Sequence, residues 1–124
     1  MTNTLALRIS ALMGLLAVAL GAFGAHALKG ILEQNQTAEI WKTAVFYHFI
    51  HAVMLFVLAS RKQIPRLAWF SFLIGILIFS GSLYLLALTN VKWLGAITPL
   101  GGVSFMVGWV CLIISARKLT DHAG

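Results

Sequence analysis

The stretch TAVFYHFIHAVMLFVLAS, residues 43–60, contains no aspartate, glutamate, lysine or arginine. A helix needs about 20 apolar residues to cross the ~30 Å hydrocarbon core of a bilayer, and charged residues are strongly disfavoured there. The stretch therefore predicts a membrane-spanning helix. It also contains two polar imidazoles, those of His48 and His51, and their purpose inside lipid is the functional question that the sequence raises.

The composition of the whole chain agrees with a lipid environment. Of its 124 residues, 60% are hydrophobic and 10% are charged, and the mean hydropathy is +0.95. A water-soluble domain of this length has too little interior to bury so much apolar surface. The net charge is +6, but the basic residues stand in short tracts between apolar runs. They predict membrane topology and not a nucleic-acid-binding face.

Three further uncharged runs are long enough to cross the membrane, at about residues 9–27, 67–89 and 94–116. Together with residues 43–60 they predict an all-α fold, an integral membrane four-helix bundle that forms a single transmembrane domain over residues 1–124. The outer loop at residues 28–42 is polar and long enough to have structure of its own. Thr37 lies in this loop and is predicted to be the N-cap of a helix that begins near Ala38.

Two features of the first and fourth runs bear on these boundaries. The sequence AHA at residues 25–27 resembles a signal-peptide cleavage site. The run is nevertheless long enough for a full span, so we expect it to be kept as the first transmembrane helix. Pro99 removes a helical hydrogen bond and is followed by Gly101 and Gly102, which predicts a kink near the outer end of the fourth helix.

Basic residues predict the orientation, because loops rich in lysine and arginine stay on the cytoplasmic side. The amino end, the second connection and the carboxyl end share one side of a four-span protein. They hold most of the basic residues, namely Arg8, Arg61, Lys62, Arg66, Arg117 and Lys118. Both termini are therefore predicted to be cytoplasmic. Trp41 and Trp93 are then expected at the outer interface and Trp69 near the inner one, as in an aromatic belt.

Polar side chains from all four predicted helices fall in the outer half of the bilayer. His48 and His51 are three positions apart and share one helix face. The candidate intramembrane polar cluster consists of His26, Tyr47, His48, His51, Ser80, Ser82, Tyr84 and Thr98. Polar residues within a membrane are costly and often mark a functional site. This cluster is therefore the strongest functional signal in the sequence.

Three interpretations of the cluster remain open. Its members can hydrogen-bond between helices and hold the bundle in one arrangement, at about 0.6 kcal/mol and up to about 2 kcal/mol per contact. They can serve as a proton, ion or small-ligand conduit, because histidine changes charge near neutral pH. They can also bind a metal or haem. Two histidines on one helix face cannot bind both sides of a haem iron, so His26 would have to be the second ligand.

The sequence lacks residues that several functions require. The acidic residues Glu33, Glu39 and Asp121 all lie outside the predicted membrane spans, whereas small proton-coupled multidrug transporters need a carboxylate inside the membrane. No nucleophile can be combined with a base and an orienting acid, and no phosphate-binding glycine loop is present. We therefore predict no catalytic residues, no metal site and no cofactor.

Small residues repeat at helical spacing and predict close helix packing. They are Ala17, Gly21 and Ala25 in the first helix, Ser71 and Gly75 in the third, and Ser104 and Gly108 in the fourth. We expect this packing within the chain, while the remaining surface leaves room for a homo-oligomer or a larger membrane complex. Membrane lipid is a further expected partner, because the basic tract at residues 61–66 can bind anionic headgroups, although its role in topology is enough to explain it.

Four blocks of the sequence form a recognisable series: GAFGAHAL at 21–28, WKTAVFYHFIHAVML at 41–55, FSGSLYLLAL at 79–88 and LGAITPLGG at 94–102. In this order and spacing, they resemble the YgdD-like family of small inner-membrane proteins, whose function is unknown, and the resemblance covers most of the chain. It implies a four-helix protein of the bacterial inner membrane without an assigned activity. The matching positions are Gly21, Gly24, His26, Trp41, Tyr47, His48, His51, Ser80, Gly81, Ser82, Tyr84, Pro99 and Gly102.

The predicted function is that of a non-enzymatic structural or accessory membrane component that acts through helix contacts. One alternative is a small-ligand, ion or proton conduit that uses the histidines. Another is a haem- or quinone-linked electron-transfer subunit.

Overall fold

Four long apolar helices account for most of the chain in the computed structural model, which describes the backbone of residues 1–123 and the side chains of residues 1–116. The helices that are long and apolar enough to cross a membrane are Asn3–Ala25, Ala38–Ala59, Arg66–Thr89 and Lys92–Ala116. Over residues 1–123 the chain forms no β-strand. The predicted all-α fold with four membrane-spanning helices is confirmed.

Each span can be divided into its regular and irregular parts. The α-helices are α1 (Asn3–Ala25), α2 (Lys29–Asn35), α3 (Ala38–Ala59), α4 (Arg66–Gly75), α5 (Gly81–Thr89) and α6 (Thr98–Ala123). A π-helical segment, Ile76–Ser80, joins α4 to α5 within the third span, and a 3₁₀ segment, Lys92–Ala96, precedes α6. We call the end of the bundle that carries α2 the α2 end.

The first span begins earlier than the sequence predicted. Helix α1 starts at Asn3 and not near residue 9, because the hydroxyl of Thr2 accepts a hydrogen bond from the N–H of Leu5 at 3.1 Å and caps the helix. Arg8 therefore lies inside α1, with its side chain exposed. At the other end of the chain, the side chains of Arg117 and Lys118 lie outside the described residues, although the backbone there continues α6.

The fourth span is interrupted ahead of Pro99 in place of the predicted kink. The 3₁₀ segment ends at Ala96, and Pro99 occupies the first turn of α6. A proline in that turn costs no helical hydrogen bond, because the first N–H groups of a helix have no partner within the helix. The break in the hydrogen-bond pattern therefore falls between the two segments and not within α6.

The helices pack in the order in which they follow one another. Helix α1 packs along α3, α3 packs against the third span, and α6 packs against α4 and the π-helical segment. The main core lies between α3, the third span and α6, and its largest buried members are Leu55, Leu58, Trp69, Phe72 and Phe105. The outward faces are apolar, and Ile113 and Ile114 are each 74% exposed. Such faces suit contact with lipid.

The connection between α2 and α3 caps the end of the third span. The hydroxyl of Thr37 donates to the carbonyl of Ala87 at 2.7 Å, and the amide of Asn35 donates to the carbonyls of Ala87 and Leu88 at 3.1 and 3.2 Å. Both carbonyls belong to the last turn of α5, where carbonyls lack partners within the helix. Thr37 does stand before α3 but makes no capping bond to it. The predicted cap is therefore wrong, since the hydroxyl caps a different helix.

Replacing Thr37 by valine is expected to lower the free energy of unfolding by about 1 kcal/mol, the net value of one buried hydrogen bond. The side chain is 3% exposed, so no water replaces the lost donor. Denaturation of the purified protein in detergent, followed by circular dichroism, measures the change. Thr43→Val is the matched control, because the exposed Thr43 hydroxyl only donates to the carbonyl of Glu39 in its own helix. Equal losses in both variants would contradict the interhelical role.

Candidate functional site

His51 joins α3 to α6 inside the membrane. Its Nδ1 lies 2.7 Å from the carbonyl oxygen of Tyr47, and the indole Nε1 of Trp109 donates to His51 Nε2 at 3.1 Å. The imidazole also stacks on the ring of Phe105, with centroids 3.7 Å apart and planes 13° from parallel. Both ring nitrogens and one ring face are thus in contact with protein.

These two hydrogen bonds assign the protonation state of His51. A carbonyl oxygen can only accept, so Nδ1 must carry a hydrogen, and an indole N–H can only donate, so Nε2 must be without one. The pattern requires the neutral imidazole protonated on Nδ1. A second proton on Nε2 would face the indole N–H of Trp109 and remove the hydrogen bond by which His51 reaches α6.

His48 joins α3 to α5. Its Nδ1 lies 2.8 Å from the hydroxyl of Tyr84, and either group can be the donor. The other ring nitrogen, Nε2, is buried, and among the described residues it has no partner with hydrogen-bonding geometry, although the backbone of Met13 lies nearby. His48 therefore has one interhelical bond and one unsatisfied polar atom.

The hydroxyl groups of the candidate cluster also bridge helices. Ser80, in the π-helical segment, donates to the carbonyl of Ala44 on α3 at 2.8 Å. The hydroxyls of Ser82 and Thr98 lie 2.6 Å apart and link α5 to the first turn of α6. These polar groups connect the third span to the helices on both sides of it.

The structure does not bring the predicted residues into one cluster. His26 is exposed at the end of α1, and its side chain makes no hydrogen bond or ring contact within the described part of the chain. Tyr47 is 39% exposed and packs its ring against Phe79 and Phe105. The remaining members form the separate contacts given above. His26 therefore lies apart from the other predicted members, most of which meet in pairs, His48 with Tyr84, Tyr47 with His51, and Ser82 with Thr98.

Two of the tryptophans assigned to an aromatic belt are core residues. Trp69 is fully buried, and its Nε1 donates to the Ser10 hydroxyl and the Leu55 carbonyl, both at 3.2 Å. Trp41 is 3% exposed, and its Nε1 donates to the carbonyl of Leu20 at 2.9 Å. Neither indole N–H is therefore free to bond with lipid headgroups, and the depth of the two rings in the membrane stays a prediction. Trp93 is 66% exposed.

The small residues of α4 and α6 face each other. Phe105 lies against Gly75, and Phe72 lies against Gly108, so that each helix places an aromatic ring over a glycine of the other. Between them the hydroxyl of Ser104 donates to the carbonyl of Ser71 at 2.6 Å. A Cβ at either glycine would overlap the facing ring. The small side chains therefore allow these two helices to approach closely.

The small residues of α1 face two different surroundings. Ala17 is buried, and Gly21 lies next to Val45 of α3. Ala25, one turn further on, is exposed and lines a groove beside α3. Gly24, which the spacing rule did not include, lies directly under the Trp41 indole.

The arrangement offers little for metal chemistry. Over the described residues there is no group of three or more His, Cys, Asp and Glu side chains that could hold a metal ion. The acidic and basic side chains of residues 1–116 are all exposed, so no described charge lies inside the bundle. Most of the described buried polar side chains form at least one hydrogen bond to another helix.

Sequence reasoning missed the residues that complete these contacts. Trp109 is the partner of His51, and Ser10 is the partner of Trp69. The only available signal was that a buried indole N–H needs an acceptor. That rule does not identify the acceptor, which lies 58 or 59 positions away in the chain.

Comparison with known proteins identifies the family. Residues 20–102 match the profile of a family described as protein of unknown function (DUF423). The chain belongs to this family. The DUF423 region contains every member of the candidate polar cluster, while Trp109 lies beyond it.

Individual DUF423 relatives are membrane proteins. The chain is 44% identical over 117 residues to the UPF0382 membrane protein YwdK of Bacillus subtilis, covering 89% of this chain and 94% of that protein. It is 36% identical over 124 residues to the UPF0382 inner membrane protein YgdD of Escherichia coli, covering 96% and 94%. No solved structure matches the chain. The resemblance to an uncharacterised YgdD-like family and the predicted multi-pass location in the inner membrane are confirmed.

Proposed function

We propose that this protein is a non-enzymatic structural or accessory component of the membrane that acts through helix contacts, with its intramembrane polar groups serving to fix the arrangement of its helices. One observation carries the proposal: His51 is bonded at both ring nitrogens and stacked on Phe105, and its bond to Trp109 ties α3 to α6. His51 therefore has no free ring nitrogen with which to bind a substrate.

The other polar contacts support the same role. Ser80, Ser82 and Tyr84 each bond to a group on a different helix. In lipid such bonds have no competing water, so the alternative to each bond is an unsatisfied polar group. A bundle built this way presents a defined surface to a second copy or to a larger membrane complex, the partners that we propose.

A proton or small-ligand conduit is the second candidate, and one observation favours it. Nε2 of His48 is a buried nitrogen without a hydrogen-bond partner among the described residues, and such an atom can bind a small polar ligand or a water molecule. Against this, His51 can accept a proton only by losing its bond to Trp109. A relay through both histidines would therefore break a contact between α3 and α6.

A haem- or quinone-linked electron-transfer subunit has less support. The Nε2 atom of His51, which would bind iron, accepts the indole hydrogen of Trp109. His26, the second ligand that such a site would need, is exposed at the end of α1.

His51→Phe is expected to lower the free energy of unfolding by about 1–2 kcal/mol, because Trp109 loses its acceptor while the ring stack on Phe105 is kept. His26→Phe is the matched control and is expected to change stability by less than about 0.5 kcal/mol, as at other exposed positions. Denaturation in detergent followed by tryptophan fluorescence measures both.

Proton flux separates the two candidate functions. The wild-type protein in liposomes with a trapped pH-sensitive dye is expected to pass protons no faster than empty liposomes when a pH gradient is imposed. Flux above that level in the wild type, with loss in His48→Phe and not in His26→Phe, would overturn the structural proposal and establish the conduit.

A further inference from the structure

A half-open groove of about 580 Å³ lies at the α2 end, between α1, α2 and α3. This volume is within the range of about 300–1,000 Å³ that small-molecule sites occupy. Gly21, Gly24 and Ala25 line the groove on α1, where the Trp41 indole covers Gly24 and the Val45 side chain lies against Gly21. Val45, Phe46 and Phe49 of α3 form the opposite wall. The floor of the groove is therefore apolar.

Three charged side chains line the groove, those of Lys29, Glu33 and Lys42. Lys29 and Glu33 lie one helical turn apart on α2, and both line the groove. Such a pair commonly forms a salt bridge, yet the salt bridge found within residues 1–116 is that of Lys42 with Glu39, at 3.2 Å. An ammonium and a carboxylate thus stand side by side at one opening and are not bound to each other.

We propose that this groove binds one phospholipid with an ethanolamine headgroup. One acyl chain lies along the apolar floor, the Lys29 ammonium donates to the phosphate, and the Glu33 carboxylate accepts from the ethanolamine ammonium. The depth fits, because the groove lies where the apolar spans meet a polar loop, which is the level of lipid headgroups.

Because Lys42 is paired with Glu39 at 3.2 Å, Lys29 and Glu33 are the lining charges left to select this headgroup over others. A glycerol headgroup can donate a hydroxyl to Glu33 but has no positive charge to offer the carboxylate, and its phosphate adds a second negative charge nearby. A choline headgroup has a positive charge but no N–H to donate to the carboxylate. A second copy of the chain is the other candidate occupant, and the effect of Ala25→Phe on a dimer distinguishes it from a lipid. The inference goes beyond the proposed structural role and does not depend on it.

Native mass spectrometry of the purified full-length protein, mixed with equal amounts of phosphatidylethanolamine, phosphatidylglycerol and phosphatidylcholine of identical chains, tests the assignment. We expect phosphatidylethanolamine to be retained about tenfold over the other two, the effect of one charge-assisted hydrogen bond. Glu33→Gln is expected to abolish the preference over phosphatidylglycerol. Lys29→Gln is expected to weaken the binding of both lipids. Lys92→Gln, an exposed lysine outside the groove, is expected to change neither.

Filling the groove gives a second measurement that does not rely on charge. Ala25→Phe places a ring in the groove and is expected to reduce phosphatidylethanolamine retention at least tenfold. Ala22→Phe is the matched control, since Ala22 is exposed on α1 and does not line the groove. Circular dichroism verifies that both variants are folded. Equal retention of the three lipids by the wild type would overturn the proposal, and so would a dimer that Ala25→Phe dissociates.

Discussion

Replacing Trp69 by alanine is expected to lower the free energy of unfolding by about 3–5 kcal/mol, the range for removing a large aromatic side chain from a packed core. Trp69 is fully buried and lies in the main core with Leu55, Phe72 and Ala6. Its indole N–H also donates to the Ser10 hydroxyl and the Leu55 carbonyl. Alanine would therefore leave a cavity where α1, α3 and α4 meet and would remove a polar bond that links α4 to α1.

Trp93→Ala is the matched control for Trp69→Ala. Trp93 is 66% exposed, and we expect its removal to change the free energy of unfolding by less than about 1 kcal/mol. Unfolding in a series of sodium dodecyl sulfate to mild detergent ratios, followed by circular dichroism, measures both variants. Trp69→Phe separates packing from hydrogen bonding, because it keeps a ring and loses both bonds. Similar losses in Trp69→Ala and Trp93→Ala would contradict the core position of Trp69.

Gly101→Ala is expected to lower the free energy of unfolding by about 3 kcal/mol, the upper part of the usual range for overpacking. Gly101 is buried on α6, where a Cβ would overlap the backbone nitrogen of Phe79 and lie 2.7 Å from its Cα. Backbone atoms of a helix cannot move aside as a flexible side chain can. The added methyl group would therefore push α6 away from the π-helical segment and disturb the contacts further along the same interface.

Gly102→Ala is the control for Gly101→Ala, because it makes the same chemical change at the next residue. A Cβ there would lie 3.8 Å from Cδ2 of Phe79, which is an ordinary contact. Alanine also favours helix over glycine by about 1 kcal/mol, so we expect Gly102→Ala to be neutral or slightly stabilising. The same detergent unfolding series measures both. A neutral Gly101→Ala would contradict the close approach of α6 to the π-helical segment.

Parts of the candidate site could be foreseen from single residues. His48 and His51 were predicted to share a face of one helix, and both are buried on α3. The sequence could not say that they point to different neighbours, His48 to Tyr84 of α5 and His51 to Trp109 of α6. Side chains three positions apart point in directions that differ by about 60° around the helix axis. This difference is enough for the two imidazoles to contact different neighbouring helices.

Other parts were misjudged because an isolated residue type has several uses. Thr37 has the chemistry of a helix cap and stands where α3 begins, but its hydroxyl bonds to Ala87 of α5. Trp41 stands at the predicted membrane interface, but its indole donates to the carbonyl of Leu20. The indole lies over Gly24, which has no side chain in its way. In both cases a partner from another helix decided the use.

The sequence by itself determined the four spans and the family, because charge is excluded from the hydrocarbon core and an uncharged run of sufficient length is a local property. Only the tertiary structure decided which faces meet. Lipid and protein interior are both apolar, so hydropathy cannot separate the buried Trp69 from the exposed Phe70 beside it. Hydrogen-bond geometry and the space above a glycine make that distinction, and both require the position of a second helix.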